Sequence, residues 1–135
     1  MAAGYSGTPL AKKLGIKSGH RVATLGEPPE FASLLEPLPD GVDLDASLDE
    51  APDVVVAFHT DHSQLRSRLP ALGEAVFPDR VIWLAWPKKT SGVETDLTGD
   101  VVRSEVLSTS LVDVKVCAIS EVWSGLKVVW RKEHR

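Results

Sequence analysis

The residues best suited to chemistry are Lys88-Lys89-Thr90-Ser91, which sit between Pro87 and Gly92. Two cations, two hydroxyls and a flexible glycine can present charge and donors to a phosphate or a carboxylate. The spacing is not that of a phosphate-binding Walker loop, since the lysines precede the glycine and no second glycine lies at the required interval. A second group is His59-Thr60-Asp61-His62. His59 closes an apolar run, where general acid–base groups are often held. Glu27 is its candidate acidic counterpart, and Gly26 and Thr60 complete the candidate ligand-binding set. Two histidines and an aspartate in four residues could begin a metal site. His20 and His134 are isolated, so no second cluster completes one, and no metal is expected. The bland account is a strand-end histidine beside a helix-capping Asp61. A nucleophilic triad is not supported. There is no Gly-x-Ser-x-Gly turn, and Ser91 and Ser124 have no identifiable base.

These groups need strands and helices to hold them. Asp53-Val54-Val55-Val56-Ala57-Phe58-His59 and Arg80-Val81-Ile82-Trp83-Leu84-Ala85-Trp86 are continuous apolar runs rich in β-branched and aromatic residues. Such runs read as strands covered on both faces, as in a parallel sheet. Arg21-Val22-Ala23-Thr24-Leu25 is a third strand, stopped by Gly26-Glu27-Pro28-Pro29. Val42-Asp43-Leu44-Asp45 alternates and reads as a short strand with one wet face. Residues 111–119 and 126–131 read as a closing antiparallel hairpin, joined through Glu121-Val122-Trp123-Ser124-Gly125. That makes about six strands.

Helical segments fall between them. Thr8-Pro9 predicts a cap and first position ahead of Leu10 and Leu14, with Gly15 ending the helix. A short helix carries Phe31, Leu34 and Leu35. Leu65, Leu69, Leu72 and Val76 line one side of a longer helix capped by Asp61 or Ser63, in which Pro70 predicts a kink or a break. Thr98 caps a helix reaching about Val106, with Asp100 near its positive end. Strand–helix alternation followed by a hairpin gives the expected class: α/β, three-layer and Rossmann-like, with a mostly parallel sheet. Ligands in such sheets bind beyond the carboxyl ends of the strands. Gly26-Glu27, His59-Thr60-Asp61 and the Lys88-Lys89 loop all fall there.

The bulk numbers set bounds. A length of 135 residues with 43% hydrophobic and 25% charged residues suits one globular domain, with residues 1–7 as an arm and 132–135 as a charged tail. The formal net charge of -4, from 19 acidic and 15 basic residues, argues against nucleic acid as the main partner without excluding a local basic patch. The lone Cys117 lies among valines and alanines and reads as a buried, reduced thiol. With no signal-like start and no long apolar run, a cytoplasmic protein away from membranes is expected. Of the four tryptophans, Trp83 and Trp86 are three apart on one strand and so face opposite ways. Trp123, in the hairpin turn, is the candidate anchor for a protein partner, and the hairpin edge a candidate homodimer contact.

Two resemblances bear on these readings. Gly7-Thr8-Pro9-Leu10-Ala11-Lys12-Lys13-Leu14-Gly15-Ile16, Trp86-Pro87-Lys88-Lys89, Thr95-Asp96-Leu97-Thr98, Leu111-Val112-Asp113-Val114-Lys115-Val116-Cys117-Ala118 and Trp123-Ser124-Gly125-Leu126-Lys127 resemble a family of small, mostly actinobacterial proteins known only as a domain of unknown function. It covers nearly the whole chain and implies no activity. More loosely, Leu14-Gly15-Ile16-Lys17-Ser18-Gly19-His20-Arg21-Val22 is similar to the lead-in to the first strand of class I methyltransferases. Residues 69–81 are similar to their helix and turn before a central strand. That resemblance implies their architecture. Their glycine-rich cofactor loop is replaced here by Gly26-Glu27-Pro28-Pro29, and one strand–helix unit is lacking, so no S-adenosylmethionine cofactor is expected. The leading expectation is a non-catalytic or regulatory module binding a partner protein or a small anionic ligand. The alternative is a small enzyme using His59 with Lys88 or Lys89, and a degenerate methyltransferase stands third.

Overall fold

The computed structural model describes residues 8–135, so the predicted arm at 1–7 lies outside the described residues. Five strands form one sheet: β1 (Val22–Leu25), β2 (Val54–Phe58), β3 (Val81–Pro87), β4 (Leu111–Ala118) and β5 (Trp123–Trp130). Their order is β1-β2-β3-β5-β4. The first three are parallel, with Leu25 opposite Ala57 and Phe58 opposite Ala85. β5 runs antiparallel between β3 and β4. The uniformly apolar β2 and β3 are central because only a strand covered on both faces can bury every side chain. All five residues of β2 are buried, as are six of seven in β3.

Alternation along the strands builds two cores. On one face, Val55, Ala57, Ile82, Leu84 and Trp86 meet α3 (His62–Val76) and α4 (Gly99–Leu107) through Leu65, Leu69, Leu72, Val102 and Val106. On the other, Val54, Val56, Phe58, Trp83 and Ala85 meet α1 (Leu10–Lys13) and α2 (Phe31–Leu34) through Ala11, Leu14, Phe31 and Leu35. Trp83 and Trp86 do face opposite sides, and both are buried. Each such side chain contributes about 1.5–3 kcal/mol by leaving water.

Caps follow the expected chemistry. Asp61 accepts the Ser63 and Gln64 amides at the start of α3, and Thr98 accepts the Val101 amide at the start of α4. Gly15 follows α1 with φ +79°. Pro9 holds the N-cap of α1, one position before its predicted place.

Three readings are corrected. The sheet has five strands because Val42–Asp45 makes only one parallel bridge, Arg21 to Asp43. The Asp43 carboxylate then accepts the Asp45 amide at 2.8 Å, and this local turn ends the pairing. α3 runs through Pro70 as one 15-residue helix. Pro70 is exposed, and so is Arg66, whose carbonyl loses its helical donor to the proline and faces water instead. Trp123 begins β5 instead of lying in the turn, which shortens the hairpin loop to 119–122.

Gly125 of β5 is required by packing. A Cβ there would stand 2.9 Å from Ile119 Cδ1 and 3.2 Å from Trp83 Cε3. Gly125→Ala is therefore expected to destabilise the fold by about 1–3 kcal/mol through overpacking, read as a lower midpoint in urea unfolding. Gly92→Ala, which meets nothing within 4 Å but has φ +78°, is the comparison for pure backbone strain.

Candidate functional site

Parallel register brings the carboxyl ends of β1, β2 and β3 to one edge of the molecule. Gly26 follows β1, His59-Thr60 follow β2 and Lys88 follows β3. His59 continues the ladder by donating its amide to the Ala85 carbonyl at 3.0 Å. Strand spacing and rise then put the His59 and Lys88 Cα atoms roughly 8–10 Å apart. The three candidate segments therefore do share one end of the sheet.

Each residue's surroundings sharpen its role. Gly26 has φ +66°, and a Cβ would fall 2.7 Å from the Phe58 carbonyl oxygen. Its glycine character answers to close packing of two strand ends. Glu27 is exposed. His59 is 2% exposed, and its ring neighbour is a cation: Arg68 Nη1 donates to Nε2 at 3.4 Å. The proposed Glu27–His59 pairing is thus replaced by Arg68–His59, since α3 lies over the face to which His59 points. With Nε2 accepting, Nδ1 carries the proton, and it has no partner among the described residues. Burial first, and the Arg68 charge second, lower the His59 pKa to about 4.

The remaining polar groups of His59-Thr60-Asp61-His62 serve structure. Ser63 Oγ also donates to the Asp61 carboxylate, and these bonds hold its pKa below the usual range. His62 Nε2 donates to Glu105 at 2.7 Å, and Arg66 donates to the same carboxylate at 3.0 Å. Those two bonds, Arg66 first, lower the Glu105 pKa. No group of three or more potential metal ligands is assembled among the described residues.

The basic loop is a single 3-10 turn, Lys89–Ser91. The Lys88 carbonyl accepts both the Ser91 amide and the Ser91 hydroxyl, at 3.0 and 2.7 Å. The Lys88 amide is tied to Val122, next to Trp123. Lys89 and Thr90 are exposed, and Lys88 and Ser91 are half-buried. The start of α4 is near: a Cβ on Gly99 would lie 3.3 Å from Trp86 Cζ2. Trp123 is half-buried and meets Phe58 edge-to-face at 5.0 Å, so packing already engages its ring.

A cavity of about 370 Å³ does form at the strand ends, lined by Thr60, Asp61, Glu94, Thr95 and Asp96. Its wall is acidic, and neither Lys88 nor Lys89 lines it. Thr95 Oγ1 donates to the Thr60 carbonyl at 2.6 Å, and Asp96 accepts the His62 amide at 2.8 Å. Thr60 therefore belongs to a surface that repels anions, apart from the lysines with which it was grouped. Sequence reasoning missed Arg68, Glu94 and Thr95 as neighbours of these groups. The one available signal for Arg68 was its place one helical turn past Leu65, which does not say what it meets.

No family model and no curated protein matches the chain, so the resemblance to a domain of unknown function rests on the quoted motifs. The fold does have solved counterparts. The chain is similar to a protein of the NADB-Rossmann superfamily from Streptococcus agalactiae, with TM-score 0.52 at 12% identity over 96% of this chain and 70% of that one. It is also similar to a SAM-dependent methyltransferase from Aquifex aeolicus, with TM-score 0.51 at 13% identity over 88% of this chain and 86% of that one. The architecture is therefore Rossmann-like.

The state of His59 has a consequence for stability. Its folded pKa of about 4 lies below the ordinary value of 6.5, so the unfolded chain binds the proton more readily. Stability is expected to fall as pH drops from about 6.5 to 4, by on the order of 2–3 kcal/mol. Urea unfolding across that window checks this, and His59→Leu should flatten the slope.

Proposed function

We propose that the chain is a non-catalytic or regulatory Rossmann-like module that binds a small anionic ligand or a partner protein at the carboxyl ends of its strands. Lys88, Lys89, Thr90 and Ser91 hold the anion at the sheet end that also carries Gly26, with Thr60 left to the acidic cavity beside it. Trp123, next to the residue that anchors the Lys88 amide, adds the contact to a protein. The observation that carries this reading is the state of His59, the best catalytic candidate. It is buried, neutral and under a guanidinium, out of reach of a substrate. The turn after β1 supports it as well, because its one glycine is used against Phe58 and two prolines follow. A loop of that kind offers few amide donors to a cofactor.

A thermal-shift screen of anionic metabolites tests the ligand half. A ligand at ten times its Kd should raise Tm by about 3–6 °C, and Lys88→Gln/Lys89→Gln should abolish the rise. Co-purification with wild-type and Trp123→Ala protein tests the partner half. Turnover of any substrate that requires His59 would overturn the proposal.

One observation favours the enzyme reading. His59 Nδ1 is an orphan donor within about two residues' reach of Lys88, and a buried unpaired donor costs about 1–3 kcal/mol, which function could explain. The likeness to a SAM-dependent methyltransferase keeps a degenerate methyltransferase in view. Calorimetry with S-adenosylmethionine is expected to show no saturable heat, and saturable heat would favour that third reading.

A further inference from the structure

The opposite end of the sheet, where the parallel strands begin, holds a different kind of cavity. It measures about 390 Å³ and is walled by the starts of β2 and β3 and by Lys127 of β5. Lys127 reaches this end because β5 is antiparallel, which sets it opposite Trp83 early in β3. Three cations line the cavity: Lys17, Arg80 and Lys127. Two carboxylates oppose them, Asp53 and Asp79, and Asp53 is already engaged by the Arg21 amide at 2.8 Å. His20 also lines it. Its Nδ1 accepts the Lys17 amide at 3.1 Å, so the neutral ring carries its proton on Nε2 as a further donor.

Two features of this end run against stability. The first is Arg80. Its Nη2 donates to the Ala75 and Phe77 carbonyls, yet its Nε is buried with no acceptor among the described residues. A buried donor of a charged group left unpaired is costly. The second is a lysine pair. β4 carries a bulge between Asp113 and Lys115, and that one-residue shift sets Lys115 directly opposite Lys127. Like charges facing across a sheet are destabilising. Lys13 lies farther along β4, toward the hairpin, with its Nζ on the Ala118 carbonyl at 3.4 Å. Cys117 lies between, its thiol pKa raised by burial and drawn partly back by Lys13 and Lys115. In a chain of net charge -4, this concentration of cations on one face is local.

We propose that this cavity at the amino ends of the strands is a second site, for a small organic phosphate. Lys127, Arg80 and Lys17 take the phosphate, whose oxygens supply acceptors and whose charge relieves the lysine repulsion. Val81, the half-buried apolar residue of the wall, meets the organic part. The site is distinct from the Lys88–Ser91 loop, which lies past the other end of β3.

Phenyl phosphate and inorganic phosphate are the probes, titrated by calorimetry and by amide chemical shifts in the full chain. Phenyl phosphate should bind saturably in the millimolar range or tighter and more tightly than inorganic phosphate, with shifts at residues 14–20, 79–81 and 127. Lys127→Gln should weaken it about five- to tenfold, read from the shifts at residues 14–20 and 79–81. Lys17→Gln, on an exposed side chain, serves if the β5 variant misfolds, and should weaken binding in the same direction. Unchanged affinity in both Lys127→Gln and Lys17→Gln, or no saturable binding of phenyl phosphate, would overturn the proposal. So would tighter binding of single-stranded DNA or of anionic lipid vesicles, which would assign the patch to a polyanion. Loss of binding in the Lys88/Lys89 variant alone would leave the loop as the anion site and remove this one.

Discussion

The indole of Trp83 is the contact on which the rest of the structure depends. It lies on the central strand β3, is wholly buried, and donates Nε1–H to the Leu14 carbonyl at 2.9 Å. That bond satisfies the indole in an apolar surrounding and a buried carbonyl at the end of α1 at once. It ties the first helix to the middle of the sheet, 69 residues later in the chain. Gly125 on the next strand leaves room for the ring, and Ile119 packs over the same place. One large side chain thus sets how closely α1 approaches the sheet. Together with Ile119 it leaves no room for a side chain at Gly125.

From that arrangement the two ends of the sheet acquire different characters. At the carboxyl ends, strand packing consumes Gly26 and α3 closes over His59, so the polar groups there are held by the fold. What stays open is an acidic cavity beside an exposed basic turn. At the amino ends, the antiparallel β5 delivers a lysine into a cavity that already contains an arginine and a second lysine. Both ends mix charges, but at the amino ends three cations stand against two carboxylates, which is how a chain of modest negative charge can still present a local face to an anion.

Much of the frame was legible. Val54–Phe58 and Ile82–Trp86 read as buried strands because they are short, continuous apolar runs rich in β-branched and aromatic residues. Asp61 and Thr98 were legible as caps because each hydroxyl or carboxylate precedes an apolar-periodic run. The site was less so. That Gly26, Thr60 and Lys88 share one sheet end followed from parallel pairing. That Thr60 faces carboxylates and His59 faces Arg68 did not, because it depends on how α3 and the 94–97 segment lie across the sheet. The Val42–Asp45 misreading has the same origin. Alternation was present, but a local carboxylate–amide bond competed with pairing and won.

The sequence by itself determined the class, the two central strands, the helix caps and the absence of a glycine-rich turn after β1, since these are local matters of period, propensity and backbone freedom. Only the tertiary structure decided the strand order and the insertion of β5 between β3 and β4. It also set the facing lysines produced by the β4 bulge and the burial of His59. Those are pairings between residues far apart in the chain, and their energies depend on distance and solvent exclusion, which no local pattern encodes.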